Sequence, residues 1–163
     1  MPKKNISDIV LKNVFPTDDR QMTSKELADI IVKRLGLKRK KSIADHGKLL
    51  LELLNYRKKG VPVSIDEISS ILGVSISQTY EEIRKWRTMG ILEFVKIPRG
   101  DSFIKGYMLS GSTSNRLLDK VESSINSFMR KTRRIAKDFD DIFMLEFVRS
   151  QNPENEPKKN DHR

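Results

Sequence analysis

Ser77, Gln78, Tyr80, Glu81, Arg84 and Lys85 gather a hydroxyl, a carboxamide, a phenol, a carboxylate, a guanidinium and an ammonium group into one short stretch of chain. Such a set recognises other molecules by hydrogen bonds rather than breaking bonds in them. The donor and acceptor of the Gln78 amide match N6 and N7 of adenine, and the Arg84 fork matches O6 and N7 of guanine. Ser77 suits a phosphate oxygen. Reactive chemistry has few candidates. His46 and His162 are the only histidines and cysteine is absent, which removes thiol nucleophiles, disulfides and the usual histidine and cysteine zinc sets. No Gly-x-Ser-x-Gly elbow, phosphate loop or dinucleotide fingerprint occurs. The expectation is therefore no enzyme, no metal and no cofactor, with His46 a helix-start residue.

The elements around these residues suit recognition. Ile65, Ile68, Ile71 and Leu72 give one short helix an apolar face, and Gly73 can take the left-handed conformation that reverses the chain after it. Ser75 then caps a second helix in which Thr79, Ile83, Trp86 and Met89 recur at helical spacing and face inward. That leaves Ile76, Ser77, Gln78, Tyr80, Glu81, Arg84 and Lys85 facing out. Two short helices joined by a tight turn expose the second, and an exposed helix of this kind fits the major groove of DNA. Trp86 is at core spacing and reads as packing rather than base stacking. With 32 Lys and Arg against 22 Asp and Glu in 163 residues, the net charge of +10 also favours a polyanionic partner.

The run Leu72-Gly73-Val74-Ser75, followed by Met89-Gly90-Ile91-Leu92, resembles the winged helix-turn-helix transcription factors, particularly regulators similar to the MarR and TrmB families. The resemblance covers residues 46–110. It implies that the helix after Ser75 is the groove reader, and that a hairpin of residues 91–97 and 103–109, joined through Pro98-Arg99-Gly100-Asp101, is a wing whose Lys96, Arg99 and Lys105 follow the DNA backbone or minor groove. One departure is Glu81, with Glu82 beside it, where such helices carry a basic residue. Either a carboxylate accepts a hydrogen bond from a cytosine amino group, or the pair points away and bridges to Arg84 or Lys85.

The remainder of the chain frames this module. Ile6, Ile9, Val10 and Val14 predict a short helix over residues 5–15, ended by Pro16, and Thr23 with Glu26 gives the capping pattern for a second, carrying Leu27, Ile30, Ile31 and Leu35. Lys38-Arg39-Lys40-Lys41 repels itself and reads as an exposed connection. Leu49, Leu50, Leu53 and Leu54 then form the stripe of a third helix that ends at Gly60, and Val61-Pro62-Val63 favours a short strand. Near the carboxy terminus, Leu118, Val121, Ile125, Phe128, Thr132, Ile135, Phe139 and Ile142 keep the alternating three and four spacing of a coiled-coil seam. This predicts a homodimer through one long helix over 114–148, with parallel and antiparallel pairing both open; the alternative is that the helix packs on the chain's own N-terminal helices. Arg130, Lys131, Arg133, Arg134 and Lys137 on that helix read as a solvated face, the alternative being contact with phosphates outside the central site.

The fold class expected is mainly α with a small β-hairpin wing, a winged helix-turn-helix plus a long coiled-coil helix. Four segments follow: an N-terminal helical extension (1–45), a DNA-binding domain (46–112), a dimerisation helix (113–150) and a disordered tail (151–163). No apolar run is long enough for a membrane span or signal peptide, so the expected setting is cytoplasmic and without membrane partners. The leading function is a dimeric, sequence-specific transcriptional regulator on double-stranded DNA. Its rivals are a low-specificity architectural DNA-binding protein and a winged-helix interaction subunit of the transcription or replication machinery. Nothing in the sequence specifies an effector ligand.

Overall fold

The computed structural model describes residues 10–16, 20–152 and 154. In chain order the elements are α1 (Ser24–Arg34), α2 (His46–Lys59), α3 (Ile65–Leu72), α4 (Ile76–Thr88), β1 (Leu92–Arg99), β2 (Ser102–Leu109) and α5 (Ser114–Gln151). The protein is thus mainly helical, with one two-stranded antiparallel hairpin and a long C-terminal helix.

Side-chain caps open the first four helices. Thr23 Oγ1 accepts from the Glu26 amide while Glu26 accepts from the Thr23 amide, so two otherwise free donors are satisfied reciprocally. Asp45, Ser64 and Ser75 each accept from the amide three residues on. Between α3 and α4, Gly73 has φ 69° and its amide donates to Ser69, which turns the chain sharply enough for Ser75 to cap the next helix.

The hairpin is longer than the sequence suggests. Arg99 pairs with Ser102, so the loop is only Gly100-Asp101, with Gly100 at φ 60° as a tight turn with glycine first requires. Pro98 lies within β1 opposite Phe103 rather than in the turn. A two-stranded ribbon tolerates this because alternate residues direct their N–H groups away from the partner strand. The short strand expected around Pro62 is realised as a single bridge in which Val63 and Tyr107 exchange backbone hydrogen bonds at 2.7 Å each. Gly106 permits that approach, since a Cβ there would collide with the Val63 backbone.

Residues 10–16, where the sequence predicts the end of a helix, have no regular secondary structure; residues 5–9 of that prediction lie outside the described residues, as does nearly all of the expected tail. Contacts to the end of α1 take the place of helical bonds. The Lys12 amide donates to Arg34 O at 2.9 Å, Arg34 Nη1 donates to Val14 O at 2.6 Å, and the Arg34 guanidinium lies 5.0 Å from the Phe15 ring centroid. Pro16 also disfavours a helical Phe15.

The chain divides into two compact units, Met1–Ile125 and Asn126–Arg163. The first holds one core, in which Ala28 and Val32 of α1, Leu49, Leu50 and Leu53 of α2, Ile68 of α3, Ile83 and Trp86 of α4, Leu92 and Leu109 of the hairpin, and Leu117 and Val121 of α5 are all buried. This single cluster includes residues on both sides of the divisions expected after residues 45 and 112.

Trp86 is the largest fully buried side chain of that core. Trp86→Ala should lower the unfolding free energy by about 3 to 5 kcal/mol in urea titration. A change within about 0.5 kcal/mol, the range of surface substitutions, would mean that α4 does not bury this face.

Candidate nucleic-acid interface

The orientation of α4 decides what this surface offers. Thr79, Ile83, Trp86 and Met89 are buried as their spacing predicts, and the Thr79 hydroxyl donates to Ser75 O at 2.8 Å. Ile76, Ser77, Gln78, Tyr80, Glu81 and Arg84 are exposed, and Lys85 is half-buried. Ser75 itself serves as the cap, its hydroxyl engaged by the Gln78 amide.

Glu82 departs from both sequence-based alternatives. It neither faces outward with Glu81 nor bridges along the helix surface; it is 1% exposed, with its carboxylate turned into the protein. Ser42 Oγ donates to Oε1 at 2.7 Å and His46 Nε2 donates to Oε2 at 2.8 Å, while Arg39 Nη1 stands 3.9 Å from Oε1. His46 Nδ1 accepts from the Trp86 indole N–H at 3.0 Å, with the two rings stacked. These partners fix the imidazole as the neutral tautomer protonated on Nε2, since Nδ1 already receives a proton donor. Sequence reasoning placed His46 at a helix start, where it is, but missed this buried chain. The one available signal was that Glu82, Thr79 and Trp86 share a helical face.

Burial pushes the His46 imidazole below its ordinary pKa, against the opposing pull of the Glu82 hydrogen bond. Lys38 adds to the lowering and Asp45 opposes it. For Glu82, burial acts to raise the carboxyl, but hydrogen bonds from His46 and Ser42, with the positive charge of Arg39, hold it below the usual value.

The hairpin carries the other expected contacts. Lys96, Arg99 and Lys105 are all exposed. Lys96 and Lys105 are direct cross-strand partners, and Lys96 Nζ lies 4.3 Å from the Phe103 ring centroid. Like charges placed opposite one another repel, so an anion between them would be favoured. The hairpin meets α4 on one flank, where the Arg87 guanidinium lies 5.4 Å from the Tyr107 ring centroid.

The expected dimer seam behaves in two ways. Val121 is buried and Ile125 is partly buried against the chain's own core, so these two are occupied within the protein. Leu118, by contrast, is 40% exposed. From Phe128 onward the stripe is open: Phe128, Thr132, Ile135, Phe139 and Ile142 are exposed, and the Thr132 hydroxyl donates to Phe128 O within its own helix. Phe143, Met144, Leu145, Phe147 and Val148 are exposed as well. Among the described residues no group of His, Asp and Glu is arranged to hold a metal ion, and no helix is long and apolar enough to cross a membrane.

The buried chain has a pH signature. Because the folded state lowers the pKa of His46, the unfolded chain takes up the proton first as pH falls through about 6.5, and stability declines below that value. Glu82 contributes in the same direction only lower, since its share is lost as pH falls below 4.5 and through its depressed folded value. The urea midpoint of the parent should fall between pH 7 and pH 5.5, and His46→Gln should flatten that decline. An equal decline in parent and variant would show that His46 is not the group responsible.

No protein-family model matches the chain, and no curated protein matches it. Among solved structures it is similar to a chain from Methanosarcina mazei Go1 named "Possible transcriptional regulator", at 15% sequence identity and a TM-score of 0.34, over 69% of this chain and 87% of that one. A likeness of that size assigns the chain to no family.

Proposed function

We propose that the protein is a dimeric, sequence-specific DNA-binding transcriptional regulator built on a winged helix-turn-helix, a binding protein rather than an enzyme. The observation that carries this reading is the outward arc of α4. Ser77, Gln78 and Arg84 are exposed on a helix whose rotation is fixed by four buried side chains and by the Glu82 and His46 hydrogen bonds. Beside that arc stands a hairpin with three exposed cations, Lys96, Arg99 and Lys105. In this reading α4 enters the major groove, Gln78 and Arg84 contact base edges, Ser77 holds a phosphate, and the hairpin lies along the backbone.

The burial of Glu82 supports the reading by removing one of two carboxylates from the surface that would face phosphates. Glu81 alone remains exposed on α4 as an acceptor suited to a cytosine amino group. Dimerisation would come from the stripe Phe128, Ile135, Phe139 and Ile142, because a DNA reader lengthens its site by pairing two helices across successive grooves.

Selection of binding sites from random duplex DNA should return an inverted repeat, the mark of a twofold dimer. Gln78→Ala and Arg84→Ala should each relax preference at one or two positions per half-site, by about 1 to 3 kcal/mol per lost bidentate contact, with circular dichroism unchanged. Binding with no enriched motif would favour an architectural protein, and no duplex binding at low salt would favour a protein-docking role.

The seam has its own test. Since Ile125 is engaged in the core, the informative positions are further along, and Phe139→Asp with Ile142→Asp should give monomers in light scattering. A double variant as dimeric as the parent would remove α5 as the interface.

A further inference from the structure

We propose that the turn at residues 38–42 is a second phosphate-binding element, clamped to the flank of α4 opposite the hairpin. This inference rests on the DNA-binding reading above and adds to it a contact surface that the fold resemblance does not supply.

The turn is concentrated positive charge. Between Asp29 and Asp45 the chain has no carboxylate, while Lys33, Arg34, Lys38, Arg39, Lys40 and Lys41 all fall in that interval. Arg39, Lys40 and Lys41 are exposed and Lys38 is half-buried. The Ser42 amide donates to Arg39 O at 3.0 Å, which closes the turn and puts Lys40 and Lys41 at its corner. Four adjacent cations in a tight turn repel one another, and a polyanion relieves that repulsion.

The turn is also held in place, which distinguishes it from a basic linker. Leu37 on one side and Ala44 on the other are both buried in the core. Ser42 Oγ accepts from the Ala44 amide at 3.1 Å and donates to Glu82 at 2.7 Å, so the turn is tied directly to α4. Arg39 approaches the same carboxylate.

The location follows from the helix geometry. At about 100° per residue, Glu82 lies about 140° around α4 from Arg87, the residue that meets Tyr107 of the hairpin. Glu82 and Arg87 thus mark the two flanks, and Ser77, Glu81 and Arg84 occupy the exposed arc between them. A helix set into a groove has a phosphate backbone along each side. The hairpin cations serve one side, and Lys40 and Lys41 serve the other.

The test uses the full chain and a short duplex of random sequence, with affinity measured across a range of salt. Lys40→Ala with Lys41→Ala should lower the slope of log affinity against log salt by about 1.8, at roughly 0.9 per phosphate contact. The affinity for the random duplex should fall with it, and Lys40→Arg with Lys41→Arg should restore the parental slope. If the parent binds and Arg99→Ala lowers its slope while the double alanine variant does not, the turn lies outside the interface and the proposal fails alone. If the parent binds no duplex at low salt, the DNA-binding reading fails and takes this proposal with it.

Discussion

A carboxylate sealed into a protein interior destabilises it unless partners satisfy its oxygens, and breaking such an arrangement by removing one partner typically costs about 3 to 5 kcal/mol. Glu82 is in that position, and its partners come from three places: Ser42 in the turn after α1, His46 at the start of α2, and through His46 the indole of Trp86, one turn further along α4 itself. The chain is directional. Trp86 donates to His46, and His46 donates to Glu82. Apolar contacts alone would let a short helix rotate by a few tens of degrees at modest cost, whereas this sequence of donors and acceptors is satisfied at one rotation.

Much of the surface chemistry depends on that rotation. With Glu82 and Trp86 inward, Ser77, Glu81 and Arg84 must lie outward, the Arg87 flank must meet Tyr107, and the opposite flank must meet the turn carrying Ser42. The same burial bears on the DNA-binding reading. Two adjacent acidic residues in α4 would oppose a polyanion, but one of them is consumed by internal hydrogen bonds.

The local parts of this fold were legible from the residues because their causes are local. Thr23 with Glu26, Ser75 with Gln78, and the reversal at Gly73 are satisfied within a few residues of chain, and the structure forms each of them. The inward set Thr79, Ile83, Trp86 and Met89 followed from helical period alone. Glu82 was misread because an ionised side chain is ordinarily assigned to solvent, and the groups that change the answer, Ser42 and His46, are 40 and 36 residues away. Residues 10–16 were misread for a related reason. Their weak helical pattern is outweighed by hydrogen bonds to Arg34 at the far end of α1, which no local window contains. Pro98 followed from too strict a use of proline as a breaker, since a ribbon with only two strands leaves room for it.

The second unit poses a different physical problem. In the helical residues beyond Ile125 no side chain is buried, although Phe128, Ile135, Phe139, Ile142, Phe143, Leu145, Phe147 and Val148 are apolar. Helical hydrogen bonds contribute little net stability in water, and most of the stability of a protein helix comes from packing its apolar face. The ion pair between Lys137 and Asp141 is exposed and adds at most a few tenths of a kcal/mol. The stacked rings of Phe139 and Phe143 lie on one turn and still present their outer faces to water. Covering the stripe with a second copy of the same helix would bury those rings, and the burial of apolar area is the largest stabilising contribution open to the segment. On the dimer reading, association therefore adds to the stability of the helix beyond Ile125. A chain that dissociates would return those rings to water, while the core that holds α4, closed by Leu117 and Val121, would retain its own hydrogen bonds and packing.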